Sequence, residues 1–397
     1  MTAPMLRDGA VPTMTRFSFG MGLDSACIAL RWLEEPDSRD GIDLGTVTLS
    51  VAMTGDEYDE TRRMMETHLL PRLREHRVRL IQLSRASQSG GYVVLDDSRS
   101  PRRMVMRGPW KLSDEHTAAG AAPQLSAHLC SIRSKAEPLD WWAADEYGGR
   151  PVFHVLGYAA ERDKRAAKDM EHASALRWPI YPLRSWGWDR ARCDAYVYAL
   201  IGERWRRSCC GQCCFGFNRA NLPDLIDRWR AEPQVGADVL WMEHRALALN
   251  ERMRLYGKVS AHQLVRDNAL TGALERYRAR LATGRFVVYE VRRVLHAGMQ
   301  GPHVKGLVWR SVKSLATGSR AAMTTELAER AAGAGRRVAF DEDGIARALV
   351  LAREMTYPTT ERLLALAPVG AVDKEVKSFG EHWTRVSAAR AERSDVR

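Results

Sequence analysis

Two glycines and an Asp–Ser pair stand close together near the beginning of the chain, in the segment Arg16-Phe-Ser-Phe-Gly-Met-Gly-Leu-Asp-Ser25. Gly20 and Gly22 allow backbone N–H groups to turn towards a phosphate. Ser25 adds a hydroxyl at the start of a helical apolar pattern, where the helix dipole favours negative charge. Glycine-rich strand-to-helix turns also occur for steric reasons alone, so the segment predicts either an anion site or a structural turn.

The cysteines are a second group of residues that could carry chemistry, because four of the seven lie between residues 209 and 214. Clustered thiols in a reducing compartment are more typical of metal binding or redox work than of a disulfide framework. Cys210 and Cys213 have the Cys-x-x-Cys spacing that lets two thiolates reach one metal ion from a tight turn. Cys130 and Cys193 are two further candidate ligands, and because Cys210 and Cys213 each belong to a Cys–Cys doublet, either member of a doublet is able to face the site.

The elements that must position these residues alternate in type. Residues 46–53 are β-branched and apolar, which is typical of a buried parallel strand. The predicted strands are 15–20, 46–53, 78–83, 151–157 and 178–183, and the predicted helices are 24–35, 57–76 and 189–205. This alternation predicts a doubly wound, mostly parallel α/β sheet. The glycine loop and Thr54–Thr61 both follow strand ends, where open α/β sheets bind ligands.

The remainder of the chain is less regular. Residues 88–124 are rich in Ser, Gly, Arg and Pro, and they predict an excursion that is either a lid or a disordered insert. From about residue 235 the pattern is helix-rich, interrupted by one basic, strand-like stretch within 285–313. The sequence therefore predicts two domains, residues 1–230 and 231–397.

Five segments, in order, resemble the PP-loop ATP pyrophosphatases of the adenine nucleotide alpha-hydrolase superfamily, and in particular the PAPS-reductase-like branch, which includes DNA phosphorothioation sulfurtransferases. The segments that carry the resemblance are Ser18–Ser25, Thr54-Gly-Asp-Glu-Tyr-Asp-Glu-Thr61, Cys130-Ser-Ile-Arg-Ser-Lys-Ala-Glu-Pro-Leu139, Gly157-Tyr-Ala-Ala-Glu-Arg-Asp-Lys-Arg165 and Ser208-Cys-Cys-Gly-Gln-Cys-Cys-Phe215. The resemblance covers about residues 14–230 and implies a HUP-like fold for that part. Two positions depart from the family pattern. Met21 stands where the family has glycine, so its backbone is expected in the left-handed conformation, and Leu23 replaces a frequent lysine that would face phosphate.

The resemblance implies roles for individual residues. It implies nucleotide binding by Ser18, Gly20, Gly22, Asp24, Ser25, Thr54, Asp56 and Gly157, and catalytic roles for Asp24, Arg133, Lys135, Glu161 and Arg165. Asp24 would orient the loop or a Mg²⁺ ion, and the arginines would meet the leaving pyrophosphate or an anionic substrate. Cys130, Cys193, Cys210 and Cys213 would hold a [4Fe–4S] cluster or a Zn²⁺ ion, with plain thiols or a redox pair as the remaining alternative.

The expected activity is ATP-dependent adenylation of an acceptor, with release of pyrophosphate, coupled to sulfur transfer. The acceptor would be a nucleic acid (DNA or RNA) or a nucleotide-like metabolite, and the sulfur would come from a donor protein. Reduction of PAPS or APS is one alternative, but the resembling reductases carry a nucleophilic cysteine near the C-terminus, and this chain has none after Cys214. A non-catalytic nucleotide- or nucleic-acid-binding module is the other.

Charge and hydropathy set the broad class. The formal net charge is +11, which favours a polyanionic partner or reflects a proteome rich in arginine. Half of that excess falls between residues 285 and 320. The chain has no apolar run long enough to cross a bilayer and no signal-peptide pattern at its start, so the expected location is the cytoplasm, away from membranes.

Overall fold

The computed structural model describes residues 11–125, 128–257 and 259–395. The chain divides into two compact units, the first formed by Met1–Asp114 with Leu125–Cys213 and the second by Glu115–Gln124 with Cys214–Arg397. The sequence placed the division at residue 230, whereas the segment from Cys214 onward groups with the second unit.

A six-stranded sheet forms the centre of the first unit. Its strands are β1 Met14–Ser18, β2 Val47–Met53, β3 Arg79–Ser87, β4 Gly90–Ser98, β5 Val152–Val155 and β6 Arg177–Ile180. They lie in the order β4-β3-β2-β1-β5-β6, and every neighbouring pair is parallel except β3 and β4. All seven residues of β2 are buried, as its apolar, β-branched sequence predicts. The predicted α/β class with a mostly parallel sheet is therefore confirmed.

Helices connect these strands. They are α1 Leu23–Glu34, α2 Asp59–Met64, α3 Leu70–Glu75, α4 Leu112–Ala119, α5 Leu129–Ser131, α6 Glu137–Tyr147, α7 Asp163–Met170, α8 Pro182–Ser185 and α9 Arg190–Ile201. A π-helical turn, Met65–Leu69, joins α2 to α3, and a second one, Ile132–Ala136, joins α5 to α6. The helix predicted from residue 189 begins as expected, with the Asp189 side chain accepting a hydrogen bond from Arg192 N, but it ends at Ile201.

The segment 88–124 differs from the prediction. Residues 90–98 form β4, which pairs antiparallel with β3 through a short turn, and Tyr92 in β4 donates a 2.6 Å hydrogen bond to Asp145 of α6. The sequence missed this strand because its apolar run is only four residues long and stands between two glycines and two aspartates, residue types that are depleted in strands. Residues 90–98 are therefore an edge strand of the sheet, and residues 112–119 of the same segment form a helix.

Strand order creates a switch point between β1 and β5. The chain proceeds from β1 to β2 and β3 on one side of β1, and it later returns to place β5 on the other side. Loops leaving the carboxyl ends of β1 and β5 diverge there, and open α/β sheets bind their ligands in such a crevice. The segments after Ser18 and after Val155 both leave the sheet at this point.

The second unit contains more strand than the sequence predicted. Its antiparallel sheet has the order β8-β7-β11-β10-β9, formed by β7 Arg285–Gly298, β8 Gly301–Ser319, β9 Ala339–Phe340, β10 Ala346–Leu351 and β11 Thr359–Pro368. Its helices are α10 Leu222–Ala231, α11 Pro233–Leu249, α12 Ala261–Asp267, α13 Thr271–Thr283, α14 Arg320–Gly333 and α15 Phe379–Asp395. The end of α11 packs with β7 and β11 in one apolar cluster. None of the helices within the described ranges is long and apolar enough to cross a membrane.

Candidate nucleotide site at the carboxyl edge of the parallel sheet

Met21 has the left-handed backbone conformation that the sequence predicts. Its φ is +57°, and its side chain is 1% exposed. The indole Nε1 of buried Trp205 donates a 3.0 Å hydrogen bond to the Met21 carbonyl oxygen. Burial of the thioether side chain and this hydrogen bond together offset a conformation that costs a residue other than glycine about 1 kcal/mol or more.

The N-terminus of α1 follows directly and has free donors. Its first backbone hydrogen bond runs from Ala26 N to Gly22 O at 2.9 Å, and no side chain caps the helix. Within the described ranges, the N–H groups of the three residues before Ala26 have no acceptor. Such N–H groups, together with the helix dipole, attract anions. The Ser25 hydroxyl, predicted as a donor to phosphate, instead donates a 3.0 Å hydrogen bond to Gly22 O.

Two glycines beside this helix end leave little room for a side chain. A Cβ at position 157 would lie 3.0 Å from the backbone nitrogen of Ser25, and a Cβ at position 22 would lie 3.0 Å from the Ser208 hydroxyl oxygen. Gly20, in contrast, has no atom within 4 Å of the place where its Cβ would be. The segment after β5 and the segment that carries Ser208 therefore both pack closely against the α1 loop.

Asp24 lies at this helix end within a group of arginines. Burial raises the pKa of its carboxyl, while the positive charges of Arg190, Arg162 and Arg165 lower it and the negative charge of Glu161 raises it further. The Asp24 Oδ1 atom is buried without a hydrogen-bond partner. The structure thus brings together Asp24, Glu161 and Arg165 from the predicted catalytic set.

Three guanidinium groups in this cluster are unpaired. In the part of the chain that the structure describes, the side chains of Arg162, Arg165 and Arg190 have no carboxylate within ion-pair distance and no hydrogen-bond acceptor. Arg162 follows Glu161 in the predicted Gly157–Arg165 segment, whereas Arg190 was not predicted as a site residue. No local pattern could have identified Arg190, because it begins α9, far along the chain from the loop that it faces.

The second predicted loop uses its polar groups internally. The Glu57 carboxylate accepts hydrogen bonds of 2.7 Å from both Thr54 N and Thr54 Oγ1, and one of 3.0 Å from Gly55 N. Asp56 Oδ2 accepts a 2.6 Å hydrogen bond from Ser113 N, and burial raises the pKa of Asp56 to about 6. The Thr54 donors predicted for nucleotide binding therefore stabilise the loop itself.

The cysteine loop lies against this second loop. Gly211 N donates a 2.8 Å hydrogen bond to Asp56 O, and Cys210 forms a single β-bridge with Glu57. A hydrogen bond with Cys213, followed by burial, raises the pKa of the Cys210 thiol. Burial raises the pKa of the Cys130 thiol, which also lies within electrostatic reach of Cys213, and the Lys135 ammonium opposes the rise for both Cys130 and Cys210.

Cys193 is separate from those thiols. It lies in α9, is fully buried, and forms a hydrogen bond with Cys27 of α1, in the apolar core beneath the glycine loop. Within the described ranges, no group of three or more His, Cys, Asp or Glu side chains is arranged to hold a metal ion. The four predicted ligands are therefore not brought together: Cys130, Cys210 and Cys213 are neighbours, and Cys193 is not among them.

Arg133 and the basic stretch of the second unit, both predicted to meet anions, differ from expectation. The Arg133 side chain is exposed, while its backbone carbonyl accepts a 2.9 Å hydrogen bond from Arg85. In the basic stretch of the second unit, Arg292 pairs with Glu375 at 2.8 Å and buried Arg293 pairs with Glu361. Arg310 donates to the Ala119 carbonyl at 3.1 Å, and burial lowers its pKa to about 10. The charges of Arg292 and Arg293 are therefore compensated inside the unit.

Comparison of the chain with models of protein families, with curated proteins and with solved structures finds no match.

Proposed function

We propose that this protein binds ATP at the switch point between β1 and β5 and uses it to adenylate an acceptor. The observation that carries the proposal is the uncapped N-terminus of α1 next to three unpaired arginines, Arg162, Arg165 and Arg190. Free backbone donors, a helix dipole and guanidinium groups all stabilise the spread negative charge of a polyphosphate.

The reaction follows from this arrangement of positive charge. An acceptor oxygen attacks the α-phosphorus of ATP, the bond to the bridging oxygen of the β-phosphate breaks, and pyrophosphate leaves with the electron pair. Donors held in place before the reaction stabilise the negative charge that develops on the phosphate oxygens. Asp24 Oδ1, which has no partner in the described chain, is suited to orient a Mg²⁺ ion that accompanies the triphosphate.

Sulfur transfer is the second half of the proposal. A sulfur nucleophile delivered by a donor protein would displace AMP from the adenylated acceptor. The observation in its favour is that the Cys210–Cys213 pair lies on a loop that is hydrogen-bonded to Asp56, while Ser208 of the same loop contacts Gly22. Thiols are thereby placed beside the nucleotide loops. No step is assigned to a cluster or to zinc, because the predicted ligand set is not assembled.

The acceptor remains within the predicted class of DNA, RNA or a nucleotide-like metabolite. Because Arg292, Arg293 and Lys313 of the basic stretch pair with carboxylates of the same unit, these three residues add little support for nucleic acid. The three unpaired arginines of the first unit remain as candidate contacts for an anionic acceptor or for pyrophosphate.

The experiment that tests the proposal has two parts. Isothermal titration with ATP, ADP and AMP in the presence of Mg²⁺ should show affinity that depends on the triphosphate. Pyrophosphate release is then measured with no acceptor, with duplex DNA and with total transfer RNA. Release that depends on one of these acceptors supports adenylation, whereas production of ADP and phosphate, or absence of ATP binding, contradicts it.

A further inference from the structure

A chain of polar side chains crosses three neighbouring strands at the switch point. Ser18 is the last residue of β1, His154 lies in β5, and Arg177 begins β6. Ser18 Oγ and His154 Nε2 are 2.7 Å apart, and Arg177 Nε donates a 2.7 Å hydrogen bond to His154 Nδ1. His154 is 6% exposed, so its two ring nitrogens are satisfied by these two partners and not by solvent.

Arg177 is itself held in position from α7. Its Nη2 atom donates a 2.7 Å hydrogen bond to Asp169 Oδ1, and the other oxygen of Asp169 accepts a 2.7 Å hydrogen bond from the Tyr181 hydroxyl. The Tyr181 ring stacks on Tyr158, with ring centroids 5.7 Å apart. The guanidinium group is therefore fixed at both ends, and its Nε–H points at the imidazole.

These contacts determine where the protons lie. A guanidinium group donates hydrogen bonds and cannot accept them, so His154 Nδ1 must be the acceptor. The ring is then neutral with its proton on Nε2, and Nε2–H donates to Ser18 Oγ. The hydroxyl hydrogen of Ser18 is not used by His154, and no described residue offers it another acceptor.

The surroundings of His154 keep it in this state. Burial lowers the pKa of the ring well below its ordinary value, and the positive charges of Arg16 and Arg177 lower it further. A second proton on the ring would replace the hydrogen bond from Arg177 with repulsion between two donors. Ser18 itself is only partly buried and is the last residue of β1, at the carboxyl edge of the sheet.

We infer that Ser18 is a hydrogen-bond donor reserved for an oxygen of the ligand at the switch point, and that His154 and Arg177 are positioning residues that keep its proton available. The inference deepens the proposed function, on which it rests, by assigning this donor to a phosphate oxygen of ATP. It also excludes a role for His154 as the general base of a Ser18 nucleophile, since the nitrogen that faces the hydroxyl already carries a proton.

Nitrogen NMR on histidine-labelled protein without ligand tests the proton positions. The signal of His154 is identified by its loss in His154→Gln. The expected spectrum shows an unprotonated Nδ1 and a protonated Nε2 in the wild-type protein. In Arg177→Met the tautomer preference should shift towards a protonated Nδ1, because Ser18 then becomes the better donor. A protonated Nδ1 in the wild-type protein overturns the positioning role.

Titration with ATP tests the ligand contact. Ser18→Ala should weaken ATP binding about tenfold, the effect typical of one hydrogen bond to a charged group. Arg177→Met should weaken it to a similar degree, and the double variant should lose no more than either single one. Arg177→Lys, which keeps a donor facing Nδ1, should restore most of the affinity.

Arg79→Met is the matched control, because Arg79 is also a well-paired arginine of the same sheet, bound to Asp97 and Glu146 at the edge away from the switch point. It should lower stability without changing ATP affinity. Additive losses of ATP affinity in the double variant would show that Arg177 acts independently of Ser18 and would overturn the inference. Absence of ATP binding by the wild-type protein would overturn the nucleotide site and the Ser18 contact, and the spectrum would still decide the role of Arg177.

Discussion

The backbone nitrogen of Ser25 lies so close to Gly157 that a Cβ there would be 3.0 Å from it. This contact joins the segment that follows β5 to the first turn of α1, on the two sides of the switch point. A backbone atom cannot rotate away as a flexible side chain can, so the contact sets how closely the two loops approach.

Gly157→Ala should therefore displace the start of α1. We expect a loss of about 1–3 kcal/mol in the free energy of unfolding, as for overpacking elsewhere, together with at least tenfold weaker ATP binding. Gly380→Ala in α15 is the control, because no atom lies within 4 Å of that site, and it should be neutral or slightly stabilising. Urea unfolding and ATP titration measure both. Unchanged affinity in Gly157→Ala would contradict the position of the site.

At Met21 we expect the glycine variant to be more stable than the alanine variant, the reverse of the usual order in a helix. Met21→Ala removes a buried side chain and keeps the left-handed strain, so we expect a loss of about 3 kcal/mol in the free energy of unfolding. Met21→Gly loses the same side chain but relieves the strain, and should be about 1 kcal/mol more stable than the alanine variant. At Ala144, within α6, glycine should instead be less stable than alanine by about 1 kcal/mol. The same order at both positions would show that the φ of +57° has no energetic consequence.

Asp56 should make stability fall as the pH rises. Burial raises its pKa from 3.8 to about 6, so between these values the folded protein binds more protons than the unfolded chain. The contribution of this carboxyl is present below pH 4 and is lost as the pH passes 6, at a cost of about 3 kcal/mol at pH 7. Asp56→Asn can still accept from Ser113 N. It should match the wild-type protein at pH 4 and exceed its stability above pH 7.

Asp59→Asn is the control, because the pKa of Asp59 is lowered whereas the pKa of Asp56 is raised. The exposed Asp59 carboxyl pairs with Arg62 at 3.0 Å, and its hydrogen bonds with that arginine lower its pKa. Replacing Asp59 should slightly reduce stability above the pH at which it ionises and have no effect in stronger acid. Parallel pH profiles for the two variants would contradict the raised pKa of Asp56.

The unpaired arginines should govern affinity for the triphosphate. Arg190→Ala and Arg165→Ala are each expected to weaken ATP binding roughly tenfold, with a smaller effect on AMP, because each removes a charge that faces phosphate. Arg63→Ala is the control, since Arg63 is exposed and paired with Glu203 at 2.7 Å. Equal losses for ATP and AMP in titrations would place the arginines away from the β- and γ-phosphates.

Metal content separates the two groups of cysteines. If the protein purified without oxygen carries iron or zinc, Cys210→Ser and Cys213→Ser should remove it, whereas Cys193→Ala and Cys27→Ala should retain it, because the latter pair lies in the apolar core. Metal and acid-labile sulfide analysis measures this. Loss of metal in folded Cys193→Ala would restore the ligand set that the sequence predicted.

Much of the first unit was predictable because it depends on short-range patterns. The buried strand at Val47–Met53 follows from a run of β-branched and apolar residues, and the backbone conformation of Met21 was expected from the resemblance, because Met21 stands where the family pattern has glycine. The edge strand Gly90–Ser98 and the strands β10 and β11 were missed. Glycines begin the first of these strands and none of the three shows a clear alternation, so they depend on pairing with β3, with β11 and with β7 respectively.

The sequence by itself determined the alternation of strands and helices, and with it the edge of the sheet at which the two predicted loops emerge. Only the tertiary structure decided which residues meet there. Arg190 reaches Asp24 because α9 packs on α1, Cys193 pairs with Cys27 for the same reason, and Arg292 and Arg293 of the basic stretch pair with Glu375 and Glu361 of distant chain segments. Local patterns reflect interactions over a few residues, whereas a site depends on packing between segments that are distant in the chain.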